Sequence, residues 1–486
     1  MRCNRGRIYI PLFLVIVFSG CSTTSLFTPY PMQMQTIKQL VETRQYAQAQ
    51  DILSQYDNSP DKILYLMERG RISQIANDYE ASIDDFKRVI SAFEQNEEKA
   101  VISLSDSASE TTALLLSDNA IPYQGESYER VFVHQFQAMN YLFSGDYNAA
   151  LVEVRRANLE QELALERYEQ EISEAVKTQE KLSSASYGSL KSVPTMTRIS
   201  GKVKNSFQNA YTFYVSGLIY EAQGEENDAY IDYKKALEIF PDNIYLQQDV
   251  LRLARQLDLW SNQEYPSKHT SVPGTLPPGV NEGELVVLFE QGFAPVKSEI
   301  TIPLFINNHT EQLISYPVYR SQWQADVPLS VSLDSNQKIG DTQPIVYVES
   351  LAAKALEEHF PAIMARQMLR FAAKRAFSRQ AQKHLGEQAE LAVDIFNFIT
   401  ERADRRSWLS LPNRVQILRS HLPTGTHKLY FSTGEAKHAL EIQLLSNRIT
   451  LVRIILTEGI FHTNSIIINP ATATGVRKRM ARGSKL

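Results

Sequence analysis

Cysteine is nearly absent from this 486-residue chain, which holds only Cys3 and Cys21. With no Cys-x-x-Cys pair, metal or redox chemistry built on paired thiols is excluded. Also missing are the nucleophile elbow, the glycine-rich phosphate loop and the His-Glu-x-x-His zinc spacing. After the first twenty residues there is no second long apolar run. Positive charge is not in excess, at 50 Lys and Arg against 55 Asp and Glu, which argues against a nucleic-acid partner. His421 and His427 come nearest to a metal pair, and without a third ligand they read as surface residues. The expectation is a protein with no catalytic residue, no metal and no cofactor.

What is present begins with a leader. In residues 1–20, Arg2, Arg5 and Arg7 precede the apolar run IYIPLFLVIVFSG, which is too short to span as a mature helix. Phe18-Ser19-Gly20-Cys21 resembles a bacterial lipobox, with Phe18 where Leu is usual. The resemblance implies diacylglycerol transfer to Cys21, cleavage before it, and acylation of the new amino terminus, typically by palmitate. Ser22, rather than Asp, after the cysteine implies the periplasmic face of the outer membrane. The mature chain would carry 47 basic and 55 acidic residues, a formal charge of −8, and no free thiol.

After a polar tether, residues 21–31, helical periodicity runs over 32–260, and its sharpest stretch is 210–243. Gly217, Ala229 and Ala236 are small residues where two helices must touch, with Phe213, Tyr220 and Tyr233 around them, Gly224 at the turn and Pro241 at the stop. These seven packing positions, Phe213, Gly217, Tyr220, Ala229, Tyr233, Ala236 and Pro241, fall in register with the tetratricopeptide repeat (TPR), which the stretch resembles. The resemblance implies a TPR-like α-solenoid with a groove for another protein, and makes Asn209, Thr212 and Ser216 candidate partner contacts. Weaker hairpins fit around Tyr46 and Ala49, around Gly70, Tyr79, Ser82 and Phe86, and around Tyr141, Gly145, Ala150 and Ala157. A long helical arm is expected at about 148–183, its charges Glu160, Glu166, Arg167 and Glu169 on solvated faces. The loop 117–127 reads as a connector or as the place of a specific contact.

Residues 261–283, rich in Pro and Gly, read as a linker and domain boundary. Beyond it the period changes to two, and 284–469 is expected to form a β-sandwich-like domain with a helical pair inserted at 351–402. Residues 470–486 form a basic tail expected to be disordered. Between Ile363 and Lys383 lie Arg366, Arg370, Lys374, Arg375, Arg379 and Lys383 with no acid among them. This helix either offers a basic surface to anionic lipid or an acidic partner, or packs on the sheet and pairs with acids such as Glu387 and Glu390.

The whole chain, through Tyr128-Glu129-Arg130 and Gly145-Asp146-Tyr147, resembles Gram-negative envelope lipoproteins with TPR-like helices. What this implies is an α+β multidomain, outer-membrane-anchored, non-catalytic scaffold for another envelope protein. It would touch the membrane through the lipid on Cys21. The alternatives are a regulator of a peptidoglycan synthase, or an envelope enzyme or glycan-binding module with its site between the two domains.

Overall fold

The computed structural model describes residues 29–103, 118–181, 194–259, 279, 281–306, 310–320, 326–333, 337–385 and 402–468. Over these the protein is α+β, with a helical amino-terminal region and a sheet-rich carboxy-terminal one. The leader, Cys21, nearly all of the tether and of the 261–283 linker, and the 470–486 tail lie outside the described residues.

The first region contains α1 (Tyr30–Glu42), α2 (Tyr46–Ser54), α3 (Lys62–Ile75), α4 (Tyr79–Ser103), α5 (Ser127–Phe143), α6 (Tyr147–Lys181), α7 (Pro194–Ser200), α8 (Ala210–Ala222), α9 (Glu226–Ile239) and α10 (Ile244–Gln256). Helix α1 starts inside the expected tether, with Pro31 in its first turn, where a missing N–H breaks no bond. Four hairpins turn in the same way. Arg44, Asn77, Gly145 and Gly224 take left-handed φ values of 60°, 64°, 80° and 74°. The next N–H then reaches back five residues: Gln45 to the Leu40 carbonyl (2.8 Å), Asp78 to Ser73, Asp146 to Tyr141 and Glu225 to Tyr220 (2.9 Å each). Only two of the four turn residues are glycine, so composition marks only half of these turns.

Across the α8–α9 hairpin a Cβ added to Gly217 would overlap the Tyr233 ring. In the α3–α4 hairpin a Cβ at Gly70 would lie 2.9 Å from the Phe86 ring. In both, glycine and ring stand sixteen positions apart in the chain, so the two hairpins close by the same device. Gly217→Leu is therefore expected to lower stability by about 1–3 kcal/mol through overpacking. The check is urea unfolding of the lipid-free chain, where an unchanged midpoint would mean that the two helices are free to separate.

The second region contains β1 (Glu282–Gln291), β2 (Lys297–Ile306), β3 (Thr310–Tyr319), β4 (Ser330–Leu333), β5 (Gln337–Asp341), β6 (Gln343–Tyr347), α11 (Val348–Glu358), α12 (Phe360–Leu385), β7 (Arg414–Pro423), β8 (Gly425–Thr433), β9 (Ala436–Leu444), β10 (Ile449–Thr457) and β11 (Ile460–Ile468). Five strands make the main sheet, in the order β11-β10-β1-β7-β6, so strands from both sides of the helical pair share it. β1 is central, parallel to β10 and antiparallel to β7, and its inner eight residues are buried, as a strand covered on both faces requires. A second sheet, β5-β4-β8-β9, lays β9 against β1, β10 and β11, and β2-β3 form a separate ribbon.

The pleat puts Glu284, Val286, Leu288 and Glu290 of β1 on one face, with Ile417, Arg419 and His421 of β7 and Leu451 and Arg453 of β10 beside them by register. That face meets the helices. A single hydrophobic cluster runs from Tyr30 to Ile468 across both regions.

Candidate functional site

Where helices meet sheet, charged side chains are buried in three groups. In the first, Glu290 takes Arg71 of α3 on one carboxylate oxygen and Arg453 Nε on the other at 2.9 Å. Tyr211 of α8 donates to the same carboxylate at 2.9 Å, and Gln74 accepts from both guanidinium groups, at 2.6 and 2.8 Å. Both guanidinium carbons lie by the Phe136 ring, 4.3 Å (Arg71) and 5.8 Å (Arg453) from its centre. All three charges are at most 2% exposed. Burial pushes the Glu290 carboxyl up, but Arg453 and Arg71 outweigh it and hold it down to about 2. Burial lowers Arg71 to about 10 despite Glu290, so it remains a cation at neutral pH.

The second group holds the segment that leads into β7. Residues 407–410 have no strand partner, so helix carboxylates serve its backbone. Glu129 of α5 accepts the Trp408 N–H (2.7 Å), and Glu68 of α3 accepts those of Leu409 (2.7 Å) and Ser410 (2.9 Å). The Trp408 ring meets Phe86 and Phe136 edge-on, each at 5.9 Å. Burial and the neighbouring Glu126 push Glu129 up to about 7.

The third group borders a cleft of about 530 Å³ between α10, β5 and β7. Arg419 is its centre: Nε donates to Glu284 (2.7 Å), Nη1 to Asp249 of α10 (2.9 Å) and Tyr233 (3.1 Å), and Nη2 to Glu221 of α8 (3.1 Å). Arg252 bridges Glu221 (2.6 Å) and Asp249 (3.1 Å). Burial raises the Glu284 carboxyl, yet Arg419 and a hydrogen bond with His421 (3.2 Å) bring it well below the usual range. Burial leaves Asp249 raised, against the pull of Arg419 and Arg252. Tyr245 and Ile339 line the cleft, and the Tyr245 hydroxyl donates to the Asp341 carbonyl at 2.7 Å. Three carboxylates thus surround two guanidinium groups.

The residues singled out from sequence fall differently. Phe213, Gly217, Tyr220, Ala229, Tyr233 and Ala236 pack inside the α8–α9 hairpin, and Pro241 follows α9 in the turn before α10. The partner-binding expectation for Asn209, Thr212 and Ser216 is corrected, since all three are buried. Asn209 caps α8, accepting from Tyr211 N–H at 3.0 Å, and Thr212 donates to Gln135 of α5 at 2.5 Å. The face expected to line an open groove is packed against the protein's own helices. The basic surface is corrected in part: Arg370 is buried against Asp118 (2.6 Å) and Lys374 is buried, whereas Arg366 is exposed and faces Glu171 of α6 at 3.8 Å. The side chains of Arg375, Arg379 and Lys383 lie outside the described residues, as does Cys21. Glu160, expected in solvent, is buried against Arg130 at 2.6 Å. The described part of the loop 117–127 contacts the same chain: Arg406 donates to the carbonyls of Asp118 (3.1 Å) and Ile121 (2.9 Å). His421 lines the cleft instead of lying on the open surface, while His427 is half-buried on β8.

The cleft residues were missed because Glu284 sits at the edge of an apolar run and Arg419 and His421 lie in a mixed strand, and neither pattern marks a charge as buried. The only sequence signal was their opposite sign on strands that pair. No protein-family model, curated protein or solved structure matches this chain.

Proposed function

We propose that this protein is a non-catalytic scaffold, lipid-anchored through Cys21 at the periplasmic face of the outer membrane, which holds another envelope protein. The helical region is read as a TPR-type array whose groove face is taken up internally. Its turn residues Arg44 and Asn77, and again Gly224 and Asp258, recur at 33 and 34 positions, close to the 34 of that repeat. The sheet-rich region is read as sandwich-like, since β9 of the second sheet lies against β1 and β10 of the first.

The observation that carries the scaffold reading is helix α6. It has 35 residues, and past Ala164 none of its described side chains is buried. Four exposed large apolar residues, Val152, Leu159, Leu165 and Val176, lie along it, among twelve such residues described. Helix α12 runs beside its outer half, with His359 of the α11–α12 turn on Glu171 at 2.5 Å. A helix with apolar side chains open to solvent suits a protein contact better than a solvated spacer.

A photoreactive residue placed at Leu165 or Val176 in living cells is expected to trap the same envelope protein, and one placed at Thr212 to trap none. Capture at Thr212 with none on the arm would return the groove as the binding face. No capture at any position, with turnover by the purified protein, would replace the scaffold with an enzyme.

A further inference from the structure

Beyond the scaffold reading, we propose that the cleft between α10, β5 and β7 binds a small organic cation through a primary ammonium group, with Asp249 as its counter-ion. The donors of the site are already engaged. All three nitrogens of Arg419 are bonded to Glu284, Asp249, Tyr233 and Glu221, and the terminal nitrogens of Arg252 to Glu221 and Asp249. An anionic ligand would meet carboxylates and find these guanidinium groups occupied.

The acceptors are not all engaged. Both arginines converge on Oδ1 of Asp249, while Oδ2 has no hydrogen-bond partner among the described residues. Asp249 is 1% exposed and lines the cleft. An unpartnered oxygen on a buried carboxylate carries an uncompensated desolvation cost until a donor arrives. An ammonium group brings three donors and no acceptor, which fits this deficit. Its charge also balances the group, since Glu221, Asp249 and Glu284 outnumber Arg252 and Arg419 by one.

The walls suit the rest of such a ligand. Ile244, Tyr245, Ile339 and Leu418 offer apolar surface for a short methylene chain, with Gln343 and Ser420 as polar groups near it. The volume lies within the range of small-molecule sites, about 300–1,000 Å³. Among the described residues no group of three His, Cys, Asp or Glu side chains is placed to hold a metal ion, which favours an organic cation here.

The test is calorimetric titration of the lipid-free full chain with cadaverine, with Nα-acetyl-lysine amide and with 1-pentanol as the uncharged control. Cadaverine or the lysine amide is expected to bind and pentanol not to. Preference for cadaverine identifies a free diamine as the ligand, and preference for the amide an amino-acid side chain. Asp249→Asn should weaken binding at least tenfold. Ile339→Trp, which fills the cleft from β5 without altering any charge, should abolish it, and it decides the matter if Asp249→Asn fails to fold. No binding of either amine to the folded protein, or equal binding to the parent and to Ile339→Trp, overturns the proposal.

Discussion

Glu290→Ala is expected to destabilise the protein by about 3–5 kcal/mol, enough to unfold much of it at 37 °C if the total lies at the low end of the usual range, about 5 kcal/mol. The reason is the charge left behind. Arg71 and Arg453 would then face each other beside the Phe136 ring with only the neutral Gln74 accepting from both. The deletion also leaves the Tyr211 hydroxyl with only the weakly accepting Met139 sulfur, at 3.6 Å. Removing all three charges together, as Arg71→Met, Glu290→Leu and Arg453→Met, is expected to cost far less than the single change, because no ion is stranded. The sign of the pH dependence follows from the same group. Glu290 is held at about 2 against an ordinary 4.5, so its contribution is complete above about pH 4.5 and lost as pH falls towards 2. Glu290→Gln should therefore flatten the acid limb of the stability curve. Urea midpoints from pH 2 to 7 would measure this, and an unchanged midpoint for Glu290→Ala at pH 7 would show that the cluster carries no such role.

The second large effect is expected on separating the regions. Residues 29–259 and 279–468 expressed apart should each give aggregated or uncooperatively folded material, whereas co-expressed they should purify together. The sheet face towards the helices contains Val286, Leu288, Ile417 and Leu451, each at most 1% exposed. At about 1.5–3 kcal/mol for each side chain returned to water, the loss is on the order of 10 kcal/mol, comparable with the whole stability of a domain. Calorimetry of each fragment decides the matter. A cooperative transition in either one at the temperature of the intact chain would show independent domains joined by a linker.

Local chemistry made part of this architecture legible. Gly217, Ala229, Tyr233 and Ala236 betray their hairpin because close helix contact admits few side chains, and β1 and β10 betray themselves as long apolar runs. Other elements carry no such mark. The turns at Arg44 and Asn77 use left-handed residues that are not glycine. Strand β11 was not foreseen, because its middle, His462 to Ser465, is polar, and its pairing with β10 comes from register instead of hydrophobic pattern. Strand β5, Gln-Lys-Ile-Gly-Asp, is short and polar for the same reason.

By itself the sequence determined the two-part composition of this protein, helical and then strand-rich, the change near residue 280, and the helix pairs with small residues at their contacts. Periodicity and side-chain volume act over a few residues, and they can be read without knowing what lies opposite. Only the tertiary structure decided which polar residues are inside. Asn209, Thr212 and Ser216 looked free and are buried, and Glu284, Glu290, Arg419 and Arg453, which no strand pattern singled out, form the junction. A charged side chain on a strand is stable in water or opposite a buried partner. The partners here stand up to 379 positions away in the chain, as Gln74 does from Arg453, so no local pattern distinguishes the two states.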